Sequence, residues 1–473
     1  MLKWTIGLVW NVKRRSCVMT RELYDKADDH TPKFVSKPGI TESLVRFISN
    51  QKNEPDWMLQ KRLQGFELFK KTSVPTWGPD LSGLDLNKIV YYADPNTKET
   101  QNWDDLPQEI RDTFDKLGIP EAEKNLFMGV GAQYDSNVVY HNLHESLKKQ
   151  GVIFENMDVA VQKYPDLVKK YFMTQCIPVN DHKFIMLHAA VWSGGTFIYV
   201  PKNVKVSLPL QAYFRMNQKD GGQFEHTLII LDEGAELEYI EGCSSPRYQQ
   251  SSLHAGCVEL IVMPGAKMCY TSIENWSKNV YNLNTKRAIV HKDARVEWVN
   301  GNMGSTRTML YPTSVLIGEG ASSESVGIAF AGEGQDQDTG SKVIHAASNT
   351  KSVIIAKSIS KTGCSSYRGL VKVMPSAKNV SSTVQCDALL MDGGQTKTYP
   401  YMQVAQKDVK VSHEATVSRV NDDQVRYLQS RGLSEDDARK YIVSGFVEPI
   451  VRSMPFEYAV ELNKLIELEV TGL

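Results

Sequence analysis

From Leu231 onward a polar turn followed by a short apolar strand recurs at a nearly constant interval, in LDEGAELEYI, VMPGAKMCYT, VHKDARVEWV, IGEGASSESV, AASNTKSVII, VMPSAKNVSS and AQKDVKVSHE. Aligned on the residue after the turn, the phrases fall at Ala235, Ala266, Ala294, Ala321, Asn349, Ala377 and Val409. That is a period of about 28 residues, and periods of this size mark stacked repeats. Each phrase alternates apolar and polar positions and is rich in Val, Ile, Tyr and Trp, which specifies strand rather than helix. One such unit cannot bury its own apolar face, so the units must stack. The expectation is a parallel β-solenoid, in which residues one period apart become neighbours at a spacing of roughly 4.8 Å. Cys386 and His413, 27 residues apart, then fall on adjacent coils.

At 473 residues the chain is long enough for a large core and for more than one folding unit. Its 54 Lys and Arg balance 55 Asp and Glu, without a run of like charge that would follow a phosphate backbone, so nucleic acid is not an expected partner. The opening MLKWTIGLVWNVKRRSC places its basic cluster after a short apolar stretch, the reverse of a secretory leader, and no stretch reaches the ~20 apolar residues of a membrane span. A cytoplasmic protein without membrane attachment is expected, with Met19 an alternative start that leaves residues 1–18 as a disordered extension. The seven cysteines are scattered and contain no CxxC, which fits reduced thiols better than disulfides or structural zinc.

Residues 19–195 read as mostly helical. Asn53 and Pro55 open a segment in which Leu59, Leu63 and Phe66 recur at helical spacing. Further helices are expected over Leu106–Leu117, Val138–Gln150 and Met157–Phe172, after a Pro/Gly/Asn-rich loop from Val74 to Asn96. Strand signals begin at TFIYV, Thr196–Val200, and continue to about Val420, so residues 196–420 form the solenoid core. The tail, 421–473, turns helical again: Asn421 with Gln424 and Ser434 with Asp437 are capping pairs, and Gly432 is a C-terminal stop. Such an amphipathic tail packs on its own domain or docks a partner, and its pattern leaves both open.

The sequence has no GxxxxGK[ST] loop and no GxSxG elbow, so nucleotide hydrolysis and ordinary hydrolase chemistry are not expected of this chain alone. His141 and His144, three apart in a segment read as helical, fit a solvated helix face better than a metal pair. What remains is thiolate and soft-ligand chemistry. Cys386 in VQCDALLMDGG and His413-Glu414 in VSHEATVSRV place a thiol, an imidazole and a carboxylate on neighbouring coils, a set iron-sulfur sites use. On spacing alone an inert buried cysteine stands beside that reading.

The segments TFIYVPKNVKV, YFRMNQKDGGQFEHTLII, YIEGCSSPRYQQSSLHAGCVELIV, SYRGLVKVMPSAKN, VQCDALLMDG and SHEATVSRVNDDQVRYLQSRGLSEDDA resemble the SufB/SufD family of iron-sulfur cluster scaffold proteins, its SufB branch more than its SufD branch. The resemblance runs from Asn53 to the C-terminal helices. It implies a mainly β fold, a right-handed parallel β-helix flanked by N-terminal and C-terminal helical domains. It also implies a non-enzymatic scaffold that works with the ABC-type ATPase SufC, docked on residues 421–473. The scaffold receives persulfide sulfur from a cysteine desulfurase system, builds a 4Fe-4S cluster and passes it to apo-proteins, with reduced flavin as an electron source in the complex. Residue by residue, the resemblance assigns Cys243 as sulfur acceptor, Arg215, Asn217, Trp276 and Lys286 to the sulfur path, and Cys386, His413 and Glu414 to the iron of the nascent cluster. A sulfur acceptor reacts as thiolate, so Arg215 and Lys286 are expected to supply a cationic field.

Two departures stand out. Glu274 occupies a position where SufB commonly has Gln, and the Cys-rich N-terminal motif of some SufB proteins is missing. Cys176, Cys257, Cys269 and Cys364 are read as small buried hydrophobes. Open solenoid ends expose strand edges, so a dimer through the C-terminal end is expected, with a second SufB copy or a SufD. The rival readings are a SufD-like structural subunit and a polysaccharide-acting β-helix enzyme, since fold alone does not fix function.

Overall fold

The computed structural model describes residues 25–28, 30–116, 127–452 and 456–471, so the expected extension over 1–18 lies outside the described residues. Two long sheets dominate. In the first, eight parallel strands follow one another: Leu210–Arg215, Glu236–Ser244, Lys267–Trp276, Arg295–Gly304, Ser322–Ala331, Lys351–Lys361, Val380–Met391 and Val409–Arg419. The second sheet, fourteen-stranded, carries the return strands of each coil. The expected parallel solenoid is therefore present, with helical regions at both ends.

The corner phrase explains the repeat. Ala235, Ala266, Ala294, Ala321 and Ala377 are buried, and each donates its N–H to a carbonyl three residues back, on Asp232, Met263, His291, Gly318 and Met374. A small side chain is needed there because the chain turns into the lumen. Registered positions fall at Glu236, Lys267, Arg295, Ser322, Lys351, Ser381 and Lys410. The fifth and sixth of these positions thus fall one and three residues later than the sequence alignment supposed, relative to the others. Thr350 rather than Asn349 occupies the fifth corner, Asn349 being the left-handed turn residue before it at φ 60°, and after Ala377 the turn runs on to Asn379 at φ 53° before the strand begins at Val380.

Three apolar layers hold the coils. The lumen is filled by Tyr239, Tyr270, Trp276, Trp298, Leu260 and Val290, with Cys243 and Cys386 among them. Outside the first sheet, Ile273, Val299, Ile328 and Leu389 pack under Val443, Val447, Leu462 and Leu465 of the terminal helices Glu435–Val451 and Phe456–Thr471. Outside the second, the N-terminal helices cover Phe197, Leu228, Ile230 and Ile261.

In the N-terminal region, helix Asp56–Lys71 starts behind Pro55, and its buried face is Met58, Arg62, Gly65, Phe66 and Phe69, with Leu59 and Leu63 flanking it. A Cβ on Gly65 would meet the Ala189 Cβ at 2.7 Å, so this glycine sets the close approach to helix Lys183–Val191. Arg62 pairs with Glu54 at 2.6 Å and donates to the carbonyls of Ala190 and Trp192, closing the end of that helix. The segment Val138–Gln150, expected as helix, is instead strand Asn137–Leu143 followed by the short helix Glu145–Lys149. Its Val-Val-Tyr run forms a hairpin with Gly129–Tyr134 through Asp135 at φ 50°, and Gly129–Tyr134 pairs with Leu210–Arg215, so strands begin well before Thr196. His141 is consequently a buried strand residue, its pKa pulled down by burial to about 3, and His144 caps the short helix; neither lies on a solvated helix face. Tyr164 and Pro165 split Met157–Phe172 into two short helices. Among the described residues no helix is long and apolar enough to cross a membrane.

In the tail Asn421 accepts from Asp423 N–H at 2.8 Å, Ser434 accepts from Asp437 N–H at 3.1 Å, and Gly432 takes φ 95°. Self-packing of this tail is real, yet Tyr427 and Tyr441 remain exposed on its outer side. The lumen packing yields a test. Trp298 is buried and donates from Nε1 to Ser314 Oγ at 3.0 Å. Trp298→Ala is expected to lose about 3–5 kcal/mol of stability in denaturant titration, whereas Val353→Ala on the exposed face stays within about 0.5 kcal/mol.

Candidate functional site

Parallel register converts the sequence into columns along the lumen. One column reads Glu241, Ser272, Asn300, Gly327, Ala356, Cys386 and Ala415; the next reads Cys243, Glu274, Asn302, Ala329, Ser358, Ala388 and Val417. Cys243 and Cys386 thus face the same interior on adjacent columns. Five strand steps of about 4.8 Å separate them, about 24 Å in all. The intervening residues are small or polar, and Asn300, Asn302, Ser325, Gly327 and Ala356 line a cavity of ≈ 30 Å³ between the two cysteines.

At the far end, Cys386 and His413 meet. His413 registers with Val384, two residues from Cys386 on the same face, and its Nε2 lies 3.3 Å from the Cys386 sulfur. The sequence spacing predicted this adjacency. Burial pushes the Cys386 thiol up to about 12, against the nearby Tyr367 hydroxyl and with Asp387 adding to the rise. Tyr367 reaches in from the opposite sheet and lies near-parallel to the His413 ring at 6.3 Å between centroids. It was missed as a site residue because pairing across the lumen leaves no periodic trace; only the SYRGLV segment contained it. Glu414 registers with Gln385, is exposed and faces the other side of the sheet, so within one chain it does not join the Cys386–His413 pair. Both final strands, Gln395–Val404 and Val409–Arg419, are sheet ends, and Tyr399, Tyr401, Met402, Val404 and Val417 are exposed there.

At the near end, Cys243 is 1% exposed. Its surroundings differ from the expected cationic field. Burial raises its thiol well above the ordinary value, and Glu241, Glu225 and Glu274 raise it further, with Lys286 alone opposing them. Lys286 is spent on other groups: its Nζ lies 2.7 Å from Glu274 Oε1, 2.8 Å from Ser272 Oγ and 3.7 Å from Glu241. Asn282 donates to Glu274 at 2.5 Å and stands 2.8 Å from His254 Nδ1, whose Nε2 is 2.6 Å from Glu225. Burial pulls His254 down, but the Glu225 charge outweighs it and the pKa is raised. Trp276 closes this network, its ring 4.4 Å from His254. Sequence reading found Lys286 and Trp276 but not Glu241, Glu225, His254 and Asn282, which sit on different coils and strands.

Arg215 and Asn217 lie elsewhere. Arg215 registers with Ser244, not Cys243, so it points out of the lumen, donating to Ser244 Oγ at 3.1 Å and to the Lys26 carbonyl at 3.0 Å. Asn217 accepts the Asp28 N–H at 3.3 Å and donates to the Asp28 carboxylate at 3.0 Å, while Asp135 holds its backbone N–H at 2.6 Å. Both tie the N-terminal segment to the solenoid's outer face. The described cysteines are free thiols.

Comparison with known proteins agrees with this architecture. The SufBD core domain of SUF-system FeS cluster assembly matches residues 214–446, and the SufBD protein N-terminal region matches 48–212. An iron-sulfur cluster assembly SufBD family protein of Staphylococcus aureus strain MRSA252 is 52% identical over 451 residues, covering 95% of this chain and 97% of its own length. A protein of the same description from Staphylococcus saprophyticus is 51% identical over 451 residues with the same coverage. The chain belongs to the SufBD family of iron-sulfur cluster assembly proteins of the SUF system.

Proposed function

We propose that this chain is a SufB-type scaffold on which a 4Fe-4S cluster is built at the open end of the solenoid, with sulfur delivered through the lumen. The observation that carries this is the Cys386–His413 pair, 3.3 Å apart, at the last coil, where the lumen meets two uncovered strand ends. One thiolate and one imidazole fall short of the ligands a stable cluster prefers, which suits a cargo that must be released. The remaining ligands come from a second chain, another copy or a SufD, seated on the exposed edge bearing Tyr401 and Val417, and Glu414, exposed on the other side of the sheet, is open to such a partner.

Sulfur transfer is a thiol exchange. The Cys243 thiolate attacks the outer sulfur of a donor persulfide, a new S–S bond forms at Cys243, and the desulfurase-side thiolate leaves. Two electrons, from reduced flavin, are then needed to release that sulfur as sulfide. SufC supplies ATP hydrolysis from the outer face of residues 421–473, around Tyr427 and Tyr441, and the chain itself hydrolyses nothing. The finished cluster passes to cytoplasmic apo-proteins.

A specific observation favours the second reading, a SufD-like structural subunit: Cys243 is buried among carboxylates and held protonated. Under that reading Cys243 never carries sulfur and the Cys386–His413 end serves a partner's cluster. The family places the polysaccharide-acting reading aside.

Three outcomes are expected. In anaerobic reconstitution with SufC and the partner chain, Cys386→Ala removes the visible cluster absorbance while retaining SufC binding; His413→Ala weakens it, and Glu414→Ala has a smaller effect than His413→Ala. An unchanged rate of assembly in Cys386→Ala would place the cluster elsewhere. Because iron must displace the proton of a thiol held near 12, iron affinity at this end rises by about tenfold per pH unit between pH 6 and 9, checked by titration at each pH. Glu274→Gln removes one negative neighbour of Cys243 and so lowers its thiol pKa; persulfide loading, read by mass spectrometry, is expected to speed up. No persulfide on Cys243 in either protein would favour the structural-subunit reading.

A further inference from the structure

Outside the lumen, between helix Lys183–Val191 and the second sheet, His188, His226 and Cys257 lie together, each 0% exposed. His226 and Cys257 are registered neighbours on adjacent strands and face the helix. The ligand atoms of the three side chains all lie within 4.8 Å of one another, with His188 Nε2 and His226 Nδ1 3.0 Å apart. Two ligand nitrogens on a tetrahedral zinc ion would stand about 3.3 Å apart.

The outer nitrogens are held in a way that matters. His188 Nδ1 is 2.9 Å from the Ala255 carbonyl, which can only accept, so that nitrogen carries the proton and Nε2 presents its lone pair. His226 Nε2 is 3.2 Å from a Glu259 carboxylate oxygen, within reach of its charge but outside hydrogen-bond geometry. Glu259 is fixed by the N–H groups of Met173 at 2.7 Å and Ile177 at 2.9 Å, one on each oxygen. With the His226 proton on Nε2, toward Glu259, both imidazoles aim lone pairs at the gap between them, and Cys257 sits at its edge. A backbone carbonyl accepting from the outer nitrogen is an arrangement that orients metal-bound imidazoles, and His188 has it.

We propose that His188 Nε2, His226 Nδ1 and Cys257 Sγ form a zinc site that fastens the N-terminal helix Lys183–Val191 to the solenoid. The donor set selects the ion: two imidazole nitrogens and one thiolate are the nitrogen and sulfur ligands that zinc takes. Binding exchanges the Cys257 thiol proton for the metal. The ion enters before the helix docks. Sequence reading took Cys257 for a small hydrophobe, since the two histidines that complete the set lie 69 and 31 residues away along the chain.

The site is independent of the cluster end, and its test separates the two. Full-length protein from cells grown in zinc-supplemented defined medium is assayed for metal content, alongside Cys386→Ala, Cys257→Val and His188→Gln. The expected result is about one zinc per chain in the parent and in Cys386→Ala, and at least a tenfold loss in Cys257→Val and His188→Gln. X-ray absorption on the parent should show nitrogen and sulfur ligands at zinc distances, a readout that holds even if a variant fails to fold. A parent chain without zinc would overturn the proposal and leave a neutral relay, in which a protonated Glu259 donates to His226 and His226 to His188. Zinc retained in Cys257→Val, or lost in Cys386→Ala alone, would overturn it equally.

Discussion

Parallel strand pairing with one residue column per lumen position is the constraint from which everything else in this molecule follows. Because Cys243 registers with Glu274 and Ala356 with Cys386, the chemistry of each coil is presented to its neighbours at the strand spacing, and a side chain on one coil is tuned by others about 28 residues away. Buried alanine corners keep this register, and the longer turns at Thr350 and after Ala377 are absorbed outside the strands. The columns therefore survive changes in coil length.

Inside the columns the balance is electrostatic. Lys286 is fully buried and survives there because Glu274 and Ser272 both hold its ammonium, with Glu241 nearby. Burial alone would neutralise it; the paired carboxylates outweigh that and raise its pKa. Burial raises the Cys243 thiol, and the same carboxylates add to the rise. Removing Lys286 would leave Glu241 and Glu274 uncompensated in a dry interior, which costs about 3–5 kcal/mol in comparable cases. A lumen built this way trades thiol reactivity for a folded, charged interior, with burial the largest cause and Glu241, Glu225 and Glu274 adding to it.

Much of this was legible beforehand. The turn-and-strand period gave the solenoid and put Cys386 beside His413, because both facts depend only on local alternation and fixed spacing. What escaped depended on pairing that sequence does not encode locally. Val138–Leu143 carries helix-compatible spacing but is captured by a hairpin and by the first sheet, so its strand propensity wins. Glu414 follows His413 directly, yet the strand's two-residue alternation sends it to the opposite face. Arg215 was assigned beside Cys243 and points outward for the same reason, being registered with Ser244. Tyr367, and the carboxylates around Lys286, come from across the lumen, where no period of the chain reports them.

The central claim is that the lumen connects Cys243 to Cys386, and it is tested most directly by obstructing the lumen between them. Gly327 borders the ≈ 30 Å³ cavity, and a Cβ there meets nothing closer than the Asn300 carbonyl at 3.9 Å, so Gly327→Val fills the passage with little strain on the fold. Cys243 would be loaded with isotopically labelled persulfide under anaerobic conditions, iron and reduced flavin supplied so that the sulfur leaves as sulfide, and the label followed by mass spectrometry on Cys243 and in the assembled cluster. Label that enters the cluster in the parent and fails to enter it in Gly327→Val is the predicted result; label that enters the cluster equally fast in both proteins would contradict it.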